Sequence, residues 1–180
     1  MRHQNSVFHA VLKHVPWRVF DELVDEYGAD ARVRRLTTRD QFIALLYGQL
    51  AGAQSLREIE GGLVSHAHRL YHLGARDVSR STLADANAKR PHEVFGAFFA
   101  HLVRGAGRRL RRTIGEAVHL VDSTGLRLSE LSADWARFSD GVCGAKLHVV
   151  YDADAGYPID ATFTPARIND ITAAQSMPIT

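Results

Sequence analysis

The sequence predicts an α+β chain in two parts. An all-α domain over residues 1–112 is followed, over residues 113–180, by the opening strands and first helix of an α/β domain. Three observations predict it. Apolar residues recur at helical spacing through the first two-thirds, with capping residues in place. Short β-type runs begin only after Thr113. An arginine-rich stretch near 105–115 separates the two textures.

The elements follow in order. Ser6 to His14 forms a short apolar segment. Pro16 stands at a first-turn position, and Trp17, Phe20, Leu23, Val24 and Tyr27 share one helix face that Gly28 closes. Thr38-Arg39-Asp40-Gln41 reads as a capping box ahead of Phe42, Ile43, Leu45, Leu46 and Leu50. Ser55-Leu56-Arg57-Glu58 reads as a second, leading to Ile59 and Leu63, with Gly61-Gly62 expected to weaken or end that helix early. Ser79 or Ser81 caps a segment to Lys89. Pro91 opens a fifth, burying Val94, Phe95, Phe98, Phe99, Leu102 and Val103. Ala117 to Val121 is a β-type run expected to end at Asp122. Lys146–Tyr151 and Tyr157–Thr162 read as a hairpin across the turn residues Asp152 to Gly156. Asn169 or Asp170 caps a helix starting at Ile171.

Composition narrows the function classes. Apolar residues make up 46% of the 180, enough to bury a core. No apolar run approaches the roughly 20 residues of a membrane span, and the N-terminus is broken by His, Lys and Pro, unlike a secretory signal. One cysteine, Cys143, excludes an internal disulfide and a multi-cysteine zinc site. A cytoplasmic location follows.

The net charge of +2 conceals an asymmetry. Residues 1–66 carry eight basic and eight acidic side chains, residues 67–112 ten and three, and residues 113–180 four and nine. The middle block includes Arg80, Lys89, Arg90, Arg104, Arg108, Arg109, Arg111 and Arg112. Cations at this density suit nucleic-acid phosphates, and a solvated basic linker is the alternative. Leu56–Leu63 and Ser81–Lys89 could form a helix-turn-helix-like pair, although their connection is longer than a tight turn.

Three motifs could carry chemistry in the acidic part. In Val118-His119-Leu120-Val121-Asp122-Ser123-Thr124-Gly125, an aspartate at a strand end can ligate Mg²⁺, an ion that prefers oxygen donors; the alternative is a turn that caps the next element. Lys146 and His148 share one face of a strand and either line a cleft or lie on an exposed hairpin face. Asp170 is a helix cap or a catalytic carboxylate. Cys143 has no histidine partner that would make it a nucleophile. His66 and His68 have no metal-ligand spacing.

In order, these segments resemble a bacterial insertion-sequence transposase of the DDE type, of the IS-four group with its N-terminal helical domain. HLVDSTGLRLSE is similar to the first catalytic strand of that family. DWARFSDGVCGAKLHVVYDADAGYPIDATFT is similar to the stretch after it, and TPARINDITAAQ to the segment that opens its first core helix. The resemblance implies a ribonuclease-H-like core in which three carboxylates hold two Mg²⁺ for strand cleavage and transfer. Asp122 matches the first carboxylate. Asp170 matches an aspartate at the start of the intervening helix rather than the second. In that family the second carboxylate lies on a later strand and the third is a glutamate further on; the sequence has no glutamate after Glu130, and neither carboxylate is assigned here. The resemblance therefore implies an incomplete RNase-H-like domain in a truncated and catalytically inactive portion of the enzyme. Its partner would be double-stranded DNA at transposon ends, held by the basic residues with Lys146 and His148 along the DNA-facing cleft. A homodimer on DNA and a nucleoid-associated location would follow. The rival is a non-enzymatic DNA-binding protein that occupies or regulates transposon ends.

Overall fold

The computed structural model describes residues 7–70, 74–110, 119–128, 133–154 and 156–177, with the side chains within them except at 68, 69, 106–110 and 119. The chain divides into two compact units, Met1–Phe98 and Phe99–Thr180.

In the first unit α1 is Val7–Lys13, α2 Trp17–Glu26, α3 Thr38–Ala51, α4 Leu56–Ser65, α5 Ala67–Leu70 and α6 Arg80–Lys89. The long helix α7, Glu93–Leu110, begins in this unit. One core cluster gathers Leu12, Ile43, Ile59, Leu63 and Leu83 from α1, α3, α4 and α6, with Val78 from the segment before α6. A second is aromatic. Phe20 is fully buried and meets Phe98 edge-on, with centroids 5.1 Å apart, and lies tilted against Phe42 at 5.0 Å. Gly28 takes a left-handed φ of 59° after α2, which lets Ala29 N donate back to Val24 O at 2.9 Å.

Three local expectations shift. The capping box of α3 is on Thr37 and Asp40, one residue earlier than the sequence suggests: Asp40 N donates to Thr37 Oγ1 at 3.1 Å, and Thr37 N to Asp40 Oδ2 at 3.0 Å. Thr38 is then freed to bury itself and bond Asp30 through both its N and its Oγ1 at 2.7 Å. Helix α4 does not stop at Gly61-Gly62 but runs to Ser65. Gly62 is used for packing, since a Cβ there would lie 2.5 Å from Tyr47 Oη; a Cβ on Gly48 would lie 2.6 Å from Ile59 Cδ1. Each helix thus offers a glycine to a large side chain of the other. On α7, Val94 and Phe98 are buried as expected, whereas Leu102 is exposed. The helix-turn-helix-like pair corresponds to α4 and α6, which pack together, but α5 intervenes between them.

The second unit holds a four-stranded antiparallel sheet: β1 His119–Leu128, β2 Arg137–Ser139, β3 Val142–Asp152 and β4 Tyr157–Pro165, with α8 Ala133–Ala136 and α9 Asp170–Ala174. Strand β3 is central, pairing with β1 on one side and with β4 and the short β2 on the other. The β3–β4 hairpin closes at Gly156, whose φ of 74° fits its N–H bond to Asp152 O at 2.8 Å. The strands run longer than the sequence suggests, because β-bonding to β3 continues through Ser123, Thr124 and Gly125, residues of turn type. Asp122 consequently lies within β1 and not at its end. Residues 111–118, including Arg111, Arg112 and the first two residues of the first β-type run, lie outside the described residues.

Register defines two faces. Ser123 pairs with His148 and Gly125 with Lys146, so Ser123, Lys146 and His148 share the face against which α9 packs. Asp122 pairs with Val149, on the opposite face, among Leu120, Leu147 and Phe163. That second face is open: Leu120 is 54% exposed and Phe163 62%.

Candidate functional site

Asp122 is exposed, and its Oδ1 accepts the Ser123 N–H at 2.7 Å. Strand β1 is hydrogen-bonded along one edge only among the described residues, so Asp122 stands on an edge strand. Its carboxylate is reachable from solvent and can accept a hard cation or a hydrogen bond. No three His, Cys, Asp or Glu side chains converge on a metal-sized site among the described residues.

Lys146 and His148 meet Asp170, not Asp122. Lys146 Nζ donates to Asp170 Oδ1 at 2.8 Å and to Ile168 O at 3.3 Å. The bond from Lys146 holds the Asp170 carboxyl below its ordinary range, with a smaller contribution from the Ser123 hydroxyl. Asn169 caps α9 through its side chain, accepting from Ile171 N at 3.1 Å. His148 is fully buried; its Nε2 shares a hydrogen bond with Thr164 Oγ1 at 2.8 Å, and its Nδ1 has no hydrogen-bond partner, lying 3.8 Å from Asp170 Oδ1. A ring so enclosed offers no surface to DNA. The Lys-x-His pair therefore ties β3 to α9 and to β4 in this structure. Cys143 is a buried free thiol.

The basic residues separate into different environments. Arg90 is a structural tie, with a side chain 9% exposed that donates to Gln41 Oε1 at 2.9 Å and to Leu36 O and stands 3.9 Å from Asp30. Burial pushes its pKa down, opposed by Asp30 and Asp40. Lys89 is exposed and pairs with Asp85 at 3.5 Å along α6. Arg80 and Arg104 are exposed on α6 and α7. Arg108 and Arg109 lie on α7, with side chains outside those described.

Sequence reasoning missed Arg32, Arg34 and Arg35, all exposed on the loop between α2 and α3. The signal was the run Ala31-Arg32-Val33-Arg34-Arg35, averaged away in a segment of zero net charge.

Residues 114–177 match the family described as a transposase DDE domain, and residues 3–76 match DUF4372, a domain of unknown function. A protein of Sinorhizobium fredii (strain NBRC 101917 / NGR234) named "Putative transposase y4zB" is 38% identical over 97 residues, covering 54% of this chain and 27% of that relative. The chain thus matches little more than a quarter of that relative's length. No solved structure matches the chain. Among the described residues, no helix is long and apolar enough to cross a membrane.

Proposed function

We propose, from the premise that residues 114–177 belong to the transposase DDE domain family, that the chain serves DNA transposition. The observation that carries the reading is this match, with Asp122 exposed on its first strand. On this reading the partner is double-stranded DNA, held at transposon ends through arginine and lysine contacts to phosphates, in the nucleoid of a bacterial cytoplasm. Two protomers would act together on two ends.

DDE transposases generally use divalent metal, and Mg²⁺ is the ion we assign, with Asp122 as the first of its carboxylate ligands and the first catalytic carboxylate. The described residues do not by themselves fit a pair of such ions. Each Mg²⁺ wants near-octahedral oxygen ligation, and no group of three or more His, Cys, Asp or Glu side chains forms around Asp122 among the described residues. On this reading the described residues alone would bind DNA without cleaving it.

The test is an incubation of the full chain with supercoiled plasmid and a 20-base-pair duplex, with Mg²⁺ or Mn²⁺. The expected result is duplex binding that weakens steeply with salt and no nicking. Nicking abolished by Asp122→Asn would overturn the reading of binding without cleavage. Absence of duplex binding at low salt would overturn the DNA reading.

A further inference from the structure

We propose that the cleft between the α2–α3 loop and α6 is a seat for a DNA phosphate backbone, with Arg32, Arg34 and Arg35 as its phosphate contacts and Lys89 at its rim. This rests on the reading of the chain as a DNA-binding protein and adds a location for the contact.

The cleft has a volume of about 610 Å³ and lies wholly within the first unit. Arg32, Arg34, Arg35, Lys89 and Arg90 line it, against a single carboxylate, Asp85. Arg32, Arg34 and Arg35 are exposed and make no ion pair among the described residues. Asp85 is already paired with Lys89, an exposed contact of the kind worth at most about 1 kcal/mol, so Lys89 can exchange it for a phosphate. Four exposed cations, Arg32, Arg34, Arg35 and Lys89, facing one acid make a positive wall, with Arg90 held beneath them near Asp30.

The loop that carries the arginines is held from beneath. Arg90 grips Leu36 O, the carbonyl next after Arg35. Asp30 accepts from Thr38 N and Thr38 Oγ1, which pins the loop's other end to α3. Between these anchors Arg32 takes a left-handed φ of 65°, a conformation that a non-glycine residue holds at a cost. A tethered loop with three adjacent guanidinium groups loses less freedom on binding than a solvated basic tail. Guanidinium forks also suit bidentate phosphate contact.

The chemistry favours an extended polyanion over a small one. The cleft is lined by exposed arginines and by Ala29, Ala31, Val33 and Ala86, and no unpartnered buried polar group of the described residues points into it. A row of phosphates along a duplex satisfies several exposed cations at once, each contact releasing a counterion.

The test compares the full chain with a R32Q/R34Q/R35Q variant and a control that removes the same charge elsewhere on the unit, R18Q/R57Q/R76Q. Binding to a random-sequence 20-base-pair duplex is measured by fluorescence anisotropy from 50 to 200 mM salt, with circular dichroism to verify the fold. The groove variant is expected to bind at least about 10-fold more weakly and to lower the slope of log K against log salt by about 2 to 3, with the control close to wild type. Wild-type binding with equal losses in both variants, or with none in the groove variant, would overturn the cleft and leave the DNA reading standing. No wild-type binding at 50 mM salt would overturn the DNA reading and the cleft with it.

Discussion

Lys146 Nζ lies 2.8 Å from Asp170 Oδ1, joining the middle of β3 to the first residue of α9. The bond stabilises the ionised carboxylate, so the Asp170 pKa falls below its ordinary value of 3.8. A carboxylate with a depressed folded-state pKa stabilises the fold above its unfolded pKa and loses that contribution as pH falls through the folded value. The window lies at and below about pH 3.8. Lys146→Met removes the largest cause, so Asp170 should titrate closer to 3.8 and the variant's acid unfolding should lose part of its pH dependence there. Carboxyl-carbon NMR titration checks this; an Asp170 curve unmoved by the substitution would refute it.

His148 is enclosed on the same sheet face, with Thr164 as its hydrogen-bond partner. Thr164→Val keeps the shape and deletes the hydroxyl, leaving both ring nitrogens without a hydrogen bond. A buried polar group left so costs about 1–3 kcal/mol, whereas Thr164→Ser keeps the hydroxyl and should stay near wild type. Urea denaturation of the two variants decides it. If Val and Ser behave alike, the His148–Thr164 bond contributes nothing measurable.

Arg90 presents the same logic with a charge. It serves Gln41 Oε1, Leu36 O and Asp30 from one planar fork. Arg90→Met strands those acceptors, and Arg90→Lys cannot span them because an ammonium is a point donor. Removing one partner of a buried pair costs about 3–5 kcal/mol; Asp30 is 31% exposed, so about 2–3 kcal/mol is expected here. For a unit of this size that lowers the melting temperature by roughly 10 °C or more. Melting of either variant within about 2 °C of wild type would refute the role.

The helical part was legible because its signals are local: Ser55, Ser79, Gly28 and the apolar spacing of α2 act within one or two turns. The hairpin was legible for the same reason, through the turn ahead of Tyr157. Strand β1 was cut short because Ser123, Thr124 and Gly125 are poor strand formers, and only the β3 ladder holds them extended. The same non-local register put Asp122 and His148 on opposite faces, which no spacing within either segment encodes. Arg90 looked like one more cation in a basic block. Its burial depends on Leu36 and Gln41, about 50 residues earlier in the chain.

The double glycine of α4 is a case where two neighbours with the same intrinsic cost have opposite uses. Gly61 faces open space, so Gly61→Ala should stabilise by about 0.5–1 kcal/mol through helix propensity alone. Gly62→Ala gains the same propensity but drives its methyl to within 2.5 Å of Tyr47 Oη and 2.8 Å of Cε1. The Tyr47 ring cannot yield cheaply, because it packs edge-on against Phe8 with centroids 5.6 Å apart. Overpacking of this kind costs about 1–3 kcal/mol, enough to outweigh the propensity gain. The penalty should depend on the ring. In a Tyr47→Ala background, Gly62→Ala should turn from destabilising to neutral or stabilising, a coupling that a double-mutant cycle reads directly. Additive effects of the two substitutions would show that the α3–α4 contact tolerates a methyl at position 62 and that the glycine there has another cause.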